Sequence, residues 1–573
     1  MLCWVTRPRW AVTRVARSPI AGKREKKELR HRPLQEQIGI DREKIFFRLL
    51  LVWLAAFCAG PAFAATPRPN ILLILADDLG WSDVGCYGGE IKTPNIDTLA
   101  KGGLRFLQFY NSARCCPSRA SLLTGLHPHE AGVPDMRGPL NQKCVTIPEV
   151  LKPAGYNSYM VGKWHLGNVV NPIVRGFDEF YGMLGGFNSC WQENPFYTRL
   201  PGNHPSREYA ANQFYSTDVF GDYAMEFVDQ GQAAQKPWFL YLAFNAAHFP
   251  LHAYEEDIQK YEPIYAQGWD KIRERRLIRQ QELGIVPREL KLSPRGHIPL
   301  NLFNKETGWA EKENPAWDSL APDRQKDLAR RMAVYAAMID RMDRNIGRIT
   351  AHLKDIGCFE NTVIFFLSDN GACAEWDPFG FDVSSSANNI LHRGDNLTKV
   401  GGPESYVSYG SGWANACNTP WRLYKHYGHE GGIATPAIIH WPVGLTRKGE
   451  TDGRPSYLPD VMATCLELAG APYPVERNGH KIISPEGKSL VGLLKGKSAE
   501  AEIIFMEHEG NRAIRAGQWK LVALAGRPWE LYDMEKDRAE MTDLALRSPV
   551  KVKELEAKWQ AWAARVNVVP KVK

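Results

Sequence analysis

Carboxylate and amide side chains follow two apolar stretches of the sequence. Asp77 and Asp78 come directly after NILLILA, and Asp369 and Asn370 come directly after VIFFLS. Four oxygen donors that converge from two strand ends are the ligands that Ca²⁺ or Mg²⁺ prefers, and an all-oxygen set argues against zinc. An Asp-Asp pair alone would suit a helix N-cap and turn equally well. The second polar pair, at the end of another predicted strand, favours a metal site.

Side chains that carry or accept a positive charge follow other apolar stretches. Lys163 and His165 follow one of them and His248 follows another, while Arg119 and Lys425 lie elsewhere in the chain. A single histidine or lysine in such a place is usually a solvated or satisfied polar residue. Gathered around a cation that is bound among carboxylates, these side chains predict a clamp for a tetrahedral oxyanion.

The elements that must position these residues alternate between strand and helix patterns from residue 69 onward. Helical spacing of apolar residues predicts helices in TPNIDTLAKGG and in the long segment that starts MAVYAAMIDRM. This alternation predicts an α/β fold with a large, mostly parallel (mixed) sheet sandwiched by helices. Ligands of such sheets bind at the carboxyl ends of the strands, which is where the polar residues fall. The predicted strands lie in NILLILA, NSYMV, PWFLYLAF, NTVIFFLS and GGIATPAIIHWP.

The character of the sequence changes after about residue 475. A joint rich in glycine and lysine precedes short strand patterns and a polar helix, which predict a smaller antiparallel sheet with one helix. We therefore expect a catalytic domain over residues 65–475 and a C-terminal subdomain over residues 476–573. Two inserts, roughly residues 251–325 and 372–420, are predicted to have little regular structure and to shape access of substrate.

Residues 1–64 predict a cleaved signal segment. The apolar run LLLVWLAAFCAG precedes a small-residue site, Ala62-Phe63-Ala64, so we expect a secreted or periplasmic protein without a stable membrane anchor, an uncleaved anchor being the alternative. The charged part before this run is unusually long, so we expect the true translation start downstream of Met1. Residues 1–50 carry 13 Lys and Arg against 5 Asp and Glu, which accounts for the whole formal charge of +7. The folded body is therefore near neutral, which argues against nucleic-acid binding.

Two adjacent cysteines, Cys115 and Cys116, stand in the segment ARCCPSRASLLTG. A buried pair, a strained vicinal disulfide, and one reactive thiol beside an inert neighbour are the alternatives. The segment also fits the pattern C-x-P-S-R, with Cys115 in the first position and Cys116 in the free one. Cys116 does not fit the first position, because Pro117 would then come one place too early. The eleven cysteines show no CxxC or zinc-like spacing, so neither a disulfide framework nor a structural zinc site is predicted.

This pattern resembles the signature of the type I sulfatases, which belong to the alkaline phosphatase-like superfamily. Further segments resemble other motifs of that family, in the same order and over nearly the whole mature chain. They include NILLILADDLGWSDVGCYGG, GYNSYMVGKWHLG, AFNAAHFPLHA, IFFLSDNG and YKHYGHEGGIATPAIIHWP. The stretch SYGSGWANACNTPWRLYKHYGHEGG is most similar to bacterial secreted arylsulfatases.

The resemblance implies a sulfuric ester hydrolase that acts on a sulfated small molecule or a sulfated glycan. A formylglycine-generating enzyme would convert Cys115 to Cα-formylglycine, whose hydrated form would attack sulfur and then release sulfate. Asp77, Asp78, Asp369 and Asn370 would hold Ca²⁺, with Mg²⁺ as the alternative ion, and the modified Cys115 would complete the set of ligands.

The resemblance also implies roles for the other site residues. Asp369 would be the base for the attack, and His248 and Lys425 would protonate or neutralise the leaving oxygen. His165 would deprotonate the second hydroxyl, although the division of acid and base roles among these groups stays open. The residues implied to steady the charged oxygens are Arg119 and Lys163.

Two other functions stay open at this point. A phosphonate or phosphate ester hydrolase of the same superfamily shares the metal site, and an inactive binder of sulfated glycans would result if Cys115 were never modified. The near-neutral body gives no sign of a polyanionic substrate. Aromatic residues of the second insert suit stacking on a substrate ring and packing of a long loop equally well: Trp376, Phe379, Phe381, Trp413 and Trp421.

Overall fold

The central sheet has ten strands among the residues that the computed structural model describes, which are 68–568 except for 137, 211–212, 300–303 and 498–502. The predicted signal segment, residues 1–64, lies outside the described residues. The strands are β1 (Asn70–Ala76), β2 (Leu104–Tyr110), β3 (Asn157–Lys163), β4 (Glu179–Met183), β5 (Thr198–Leu200), β6 (Trp238–Ala243), β7 (Thr362–Ser368), β8 (Ala434–His440), β9 (Thr451–Asp452) and β10 (Ser456–Tyr457).

Five adjacent strands of this sheet run parallel to one another, in the order β7-β1-β6-β3-β4. β8 is antiparallel to both of its neighbours, β7 and β2, and β5 is antiparallel to β4. The predicted mixed, mostly parallel sheet is confirmed, and all five predicted strands belong to it. The sequence did not predict β2, because its residues are only partly buried and lack the continuous apolar run of a central strand.

Helices cover both faces of the sheet, as predicted. They are α1 (Pro94–Gly102), α2 (Cys115–Thr124), α3 (Pro128–Ala131), α4 (Ile147–Leu151), α5 (Ser216–Ala233), α6 (Glu255–Ile258), α7 (Glu262–Tyr265), α8 (Trp269–Glu282), α9 (Asn304–Thr307), α10 (Pro322–Asp355), α11 (Asp395–Thr398), α12 (Gly410–Cys417), α13 (Glu430–Ile433), α14 (Pro459–Ala469), α15 (Val491–Leu494) and α16 (Pro549–Arg565), with short 3₁₀ helices at Gly85–Tyr87, Lys152–Ala154 and Trp317–Ser319.

Side chains of β1 alternate between two hydrophobic cores, one on each face of the sheet. Leu72 and Ile74 pack in the core that α5 and α10 cover. Leu73 and Leu75 pack in the core that α2 and α14 cover. Because successive residues of a strand point to opposite faces, a strand between two helical layers must be apolar at every position.

The C-terminal part forms the predicted smaller antiparallel sheet with one helix. After the short pair β11 (Glu476–Arg477) and β12 (His480–Lys481), four antiparallel strands follow in chain order: β13 (Ile504–His508), β14 (Asn511–Ala516), β15 (Trp519–Ala523) and β16 (Glu530–Asp533). α16 packs on this C-terminal sheet, where Trp559 and Trp562 join Ile514 and Leu521 in a third core. The described residues, from 68 to 568, belong to one compact unit.

The first insert contradicts the expectation of little regular structure, because it contains the 14-residue helix α8. Arg273 and Arg276 are buried on this helix, and Arg276 pairs with Asp83 and with Glu90 at 2.7 Å each. Since charged residues occupy part of its buried face, the helix lacks the apolar periodicity by which sequence predicts helices. Within the described ranges, no helix combines the length and the apolar character that crossing a membrane requires.

Candidate active site

The candidate active site lies at the edge of the sheet where the parallel strands end. Asp77 follows β1, Asp369 follows β7, and Lys163 is the last residue of β3. β8 runs antiparallel to β7 and begins at this edge, which brings in Lys425 from the segment before it. β2 ends here too, and α2 then begins at Cys115. The structure brings together all the residues predicted for the site: Asp77, Asp78, Cys115, Arg119, Lys163, His165, His248, Asp369, Asn370 and Lys425.

The four predicted metal ligands form one buried group. Asn370 Nδ2 donates to Asp78 Oδ1 at 2.6 Å, and the Asp78 backbone N–H donates to Asp369 Oδ1 at 3.3 Å. Asp78 has a φ of 60°, a left-handed conformation that is costly for a residue other than glycine and typical of functional sites. Two buried oxygens, Asp77 Oδ1 and Asn370 Oδ1, have no hydrogen-bond partner within the described part of the chain.

These two oxygens make the group fit a bound cation. Buried polar atoms nearly always have a partner, and Arg119 Nη2 lies 3.6 Å from Asp77 Oδ1, beyond hydrogen-bond distance. Donor atoms of Asp77, Asp78 and His248 lie within 4.8 Å of one another. Carboxylate and amide oxygens suit a hard ion such as Ca²⁺ or Mg²⁺.

Each buried carboxylate of the group has a cation as its main partner. Because the three charges of each sign balance, burying them is tolerated, whereas a carboxylate without its cation would be costly. A divalent ion added to this neutral group would make it positive and would favour an anionic substrate. The pairs are Lys163–Asp77 at 2.6 Å, Lys425–Asp78 at 2.8 Å and Arg119–Asp369 at 2.7 Å.

Burial and ion pairing shift the pKa values of the two adjacent aspartates in opposite directions. Burial opposes the ionisation of Asp78, but Lys425 and His248 outweigh it and lower the pKa to about 2. At Asp77 burial prevails over Lys163 and raises the pKa well above its ordinary value. A bound cation would stabilise the ionised form of both carboxylates.

Two histidines lie on either side of this group. His248 Nδ1 lies 2.5 Å from the carbonyl oxygen of Phe249, so Nδ1 carries a hydrogen and Nε2 is the atom that faces Asp78 Oδ2, at 3.6 Å. A ring nitrogen of His165 lies within 4.8 Å of the Cys115 and Cys116 sulfur atoms. Burial lowers the pKa of both imidazoles and favours their neutral form, while the Asp78 carboxylate opposes this effect at His248.

The two adjacent cysteines have different surroundings. Both sulfur atoms lie near His165, but Cys115 Sγ also lies 3.9 Å from Met136 Sδ, whereas Cys116 packs in the core beneath α2. A hydrogen bond from the Cys116 thiol, helped by Lys163, lowers the pKa of Cys115 well below its ordinary value, and the same hydrogen bond raises the pKa of Cys116. All nine cysteines of the described residues are free thiols, so no vicinal disulfide is present there.

Sequence analysis missed a second polar cluster beside Cys115. Glu375 Oε1 lies 3.7 Å from Arg114 Nη2 and 3.5 Å from His426 Nε2. Arg114 also contacts the His426 ring directly. Arg114 precedes Cys115 in the chain and His426 follows Lys425, and this adjacency to predicted site residues is the signal that could have revealed both. Glu375 gives no such signal, because it lies within the second insert.

The aromatic residues of the second insert divide between the core and the rim of the site. Trp376 is partly buried, and its ring centroid lies 5.7 Å from that of His426. Phe379 packs against Trp309 at 5.5 Å instead of facing the site. The packing interpretation holds for the three that are at most 1% exposed: Phe381, Trp413 and Trp421.

A mostly parallel α/β sheet with paired carboxylates and cations at its strand ends defines the class of this protein: the alkaline phosphatase-like hydrolases, which act on esters of tetrahedral oxyanions. Within that class the chain belongs to the sulfatase family, whose model matches residues 69–471. The protein is therefore a sulfuric ester hydrolase.

Known relatives resemble the chain over most of its length. It is 35% identical over 547 residues to an uncharacterized sulfatase of Schizosaccharomyces pombe, covering 88% of this chain and 95% of the relative. It is 35% identical over 438 residues to an arylsulfatase of Klebsiella aerogenes, covering 72% of this chain and 89% of the relative. The structure of Ps i-CgsB in complex with k-i-k-neocarrahexaose is 27% identical, with a TM-score of 0.60, and covers 87% of this chain and 93% of that chain.

Proposed function

We propose that this protein hydrolyses sulfate monoesters with a nucleophile made from Cys115 by conversion to Cα-formylglycine, beside a Ca²⁺ ion. The observation that carries this proposal is the contrast between the two adjacent cysteines. Cys115 stands first in the C-x-P-S-R pattern, at the N-terminus of α2, where the hydrogen bond from Cys116 together with Lys163, His165 and Lys425 lowers the pKa of its side chain. Cys116 is part of the core.

The metal would be held by Asp77, Asp78, Asp369 and Asn370, and the unpaired oxygens in this set support the assignment. When bound, the ion supplies positive charge that binds a sulfate oxygen and favours ionisation of a nearby hydroxyl. Once formed at position 115, hydrated formylglycine would supply one hydroxyl for attack on sulfur and a second whose deprotonation would release sulfate.

The protein's own side chains then position the ester and move protons. Lys163 and Arg119, both buried, hold Asp77 and Asp369 in place and add positive charge beside the sulfate. His165, neutral and close to Cys115, takes a proton from the side chain at that position.

The groups that face Asp78 are the ones that protonate the leaving oxygen. His248 presents Nε2 to this carboxylate at 3.6 Å and can donate from this atom only as the imidazolium, whereas Lys425 presents its ammonium Nζ at 2.8 Å. An oxygen that receives a proton from either group must lie within hydrogen-bond distance of it, so the leaving group enters on this side.

We also propose that residues 1–64 direct export, that a formylglycine-generating enzyme is the maturation partner, and that the mature chain divides near residue 475. The family match, which ends at residue 471, supports that boundary. The relatives include an arylsulfatase and an N-acetylgalactosamine-6-sulfatase, which supports a sulfated substrate, either an aryl sulfate or a sulfated glycan.

The test compares Cys115→Ala with Cys116→Ala, both produced with the maturation enzyme. We expect Cys115→Ala to lose sulfatase activity and Cys116→Ala to retain it, because only Cys115 supplies the nucleophile. A phosphodiester with the same leaving group, assayed in parallel, distinguishes a phosphate ester hydrolase. Full turnover of an aryl sulfate by Cys115→Ala would contradict the proposal.

A further inference from the structure

The loop that follows β4 contacts both histidines of the site. The His165 backbone N–H donates to the Leu184 carbonyl at 3.1 Å. Gly186 packs so closely on the His165 ring that a Cβ there would lie 2.6 Å from Nε2. The next residue, Phe187, stacks on His248 with ring centroids 6.0 Å apart and ring planes 10° apart. This loop therefore forms one wall of the entrance to the site.

Two large apolar side chains are exposed at this entrance. Phe187 is 45% exposed, and Met136, whose sulfur contacts Cys115, is 36% exposed. Exposure of single apolar residues is common, but these two contact the nucleophile position and the imidazole assigned to the leaving group. Together they present an apolar wall to whatever is bound between them.

The wall is fixed from behind by aromatic packing. Phe187 lies 5.4 Å from Phe249 and 6.4 Å from Tyr406 between ring centroids, and Phe249 packs edge-on against the buried Phe381 at 4.8 Å. A side chain held by such contacts is already ordered before a ligand binds, so binding costs little additional ordering.

A cluster of polar side chains that pair with one another also lies beside the site. Glu375 contacts Arg114, His426 and Lys425 at 3.5 to 3.9 Å.

Building on the proposed function, we propose that Phe187 and Met136 form the leaving-group subsite and select esters whose alcohol carries a flat apolar ring. The leaving oxygen must lie within about 2.6–3.2 Å of the proton donor, so its substituent passes Phe187, which covers the His248 ring. Aromatic pairs and contacts between a thioether and a ring are both favourable and both suit a flat ring. Phe187 is thus a specificity residue, although it takes no part in proton transfer.

The experiment measures kcat/KM for 2-phenylethyl sulfate and glucose 6-sulfate, two primary alkyl esters that differ in the ring beyond the leaving oxygen. For Phe187→Ala we expect a loss of about tenfold on 2-phenylethyl sulfate and a change within about twofold on the sugar ester. Phe187→Tyr should keep the preference. Phe196→Ala is the matched control, since Phe196 is a partly exposed phenylalanine, at 36%. The ratio of the two kcat/KM values does not depend on how much of a variant is folded.

Equal losses on both esters with Phe187→Ala would overturn the inference, because Phe187 would then only support His248. A wild-type enzyme that prefers the sugar ester would also overturn the inference. In both cases the proposed function would still be supported if Cys115→Ala lost sulfatase activity. A mature wild-type enzyme that hydrolyses neither ester nor any aryl sulfate would overturn both.

Discussion

Lys520→Met should weaken the attachment of the C-terminal sheet to the catalytic body. Lys520 lies on β15 and is fully buried, with Nζ 2.9 Å from Glu430 Oε1 and 2.8 Å from Glu540 Oε1. Glu430, at the start of α13, keeps a second cation, because Arg538 Nε lies 2.8 Å from its Oε2. Glu540 loses the lysine that it pairs with. The substitution therefore leaves a buried carboxylate without its counter-ion.

The expected loss of stability is about 3–5 kcal/mol, the cost of removing one partner from a buried ion pair. Adding Glu540→Gln should recover more than about half of this loss, because the amide needs no counter-ion. Lys536→Met is the matched control, since that lysine is 83% exposed and pairs with Asp533 at 3.5 Å. Its removal should cost no more than about 1 kcal/mol.

The ion pairs of Glu430 also make the stability of the fold depend on pH in the acid range. Burial opposes the ionisation of Glu430, but Lys520 and Arg538 lower its pKa from 4.5 to about 2. A carboxyl group whose pKa is lower in the folded than in the unfolded protein stabilises the fold at pH values above the unfolded pKa. Ionised Glu430 therefore contributes about 3 kcal/mol to the free energy of unfolding at neutral pH, and this contribution is lost as the pH falls from about 4.5 towards 2. Lys520→Met raises this pKa and should move acid unfolding to higher pH.

The assay is urea unfolding followed by tryptophan fluorescence. Trp421, whose ring centroid lies 4.1 Å from the Arg538 guanidinium, is one of the tryptophans that contribute to the signal. We expect the urea concentration at the midpoint of unfolding to fall for Lys520→Met and to rise again when Glu540→Gln is added. An unchanged midpoint for Lys520→Met, or a double variant that loses the sum of the two single losses, would refute the reasoning.

Two further predictions concern the catalytic site. Chelation of divalent ions by EDTA should lower kcat more than about 100-fold, and Ca²⁺ should restore it, because the ion supplies positive charge to the reacting oxygens; retention of full activity after exhaustive chelation would exclude the metal. His248→Ala should lower kcat/KM by about 10²–10⁴ for an alkyl sulfate and much less for 4-nitrophenyl sulfate, whose leaving group needs no proton. Equal losses on the two esters would remove His248 from leaving-group protonation.

The sequence predicts the sheet well because its strands are buried on both faces. A continuous apolar run such as NILLILA has few alternatives to a central strand, and the polar residues that follow it fall at the site edge by topology. The direction of β8 was not predictable from its own residues. It follows from pairing with β7, and it is what brings Lys425 to the site.

The surroundings of the site were harder to predict, because they depend on loops. Phe187 lies in a short loop after β4, and nothing in its local sequence relates it to His248, 61 positions later. Trp413 and Phe381 have the composition of a binding surface, yet both are buried. An aromatic residue in an insert is placed by long-range packing, which a local pattern does not encode.

The most direct test is mass spectrometry of the peptide that contains Cys115 and Cys116, from active protein made in a host with the maturation enzyme. Our account predicts formylglycine at Cys115 and an unmodified thiol at Cys116. Two unmodified cysteines in protein that still hydrolyses sulfate esters would contradict it.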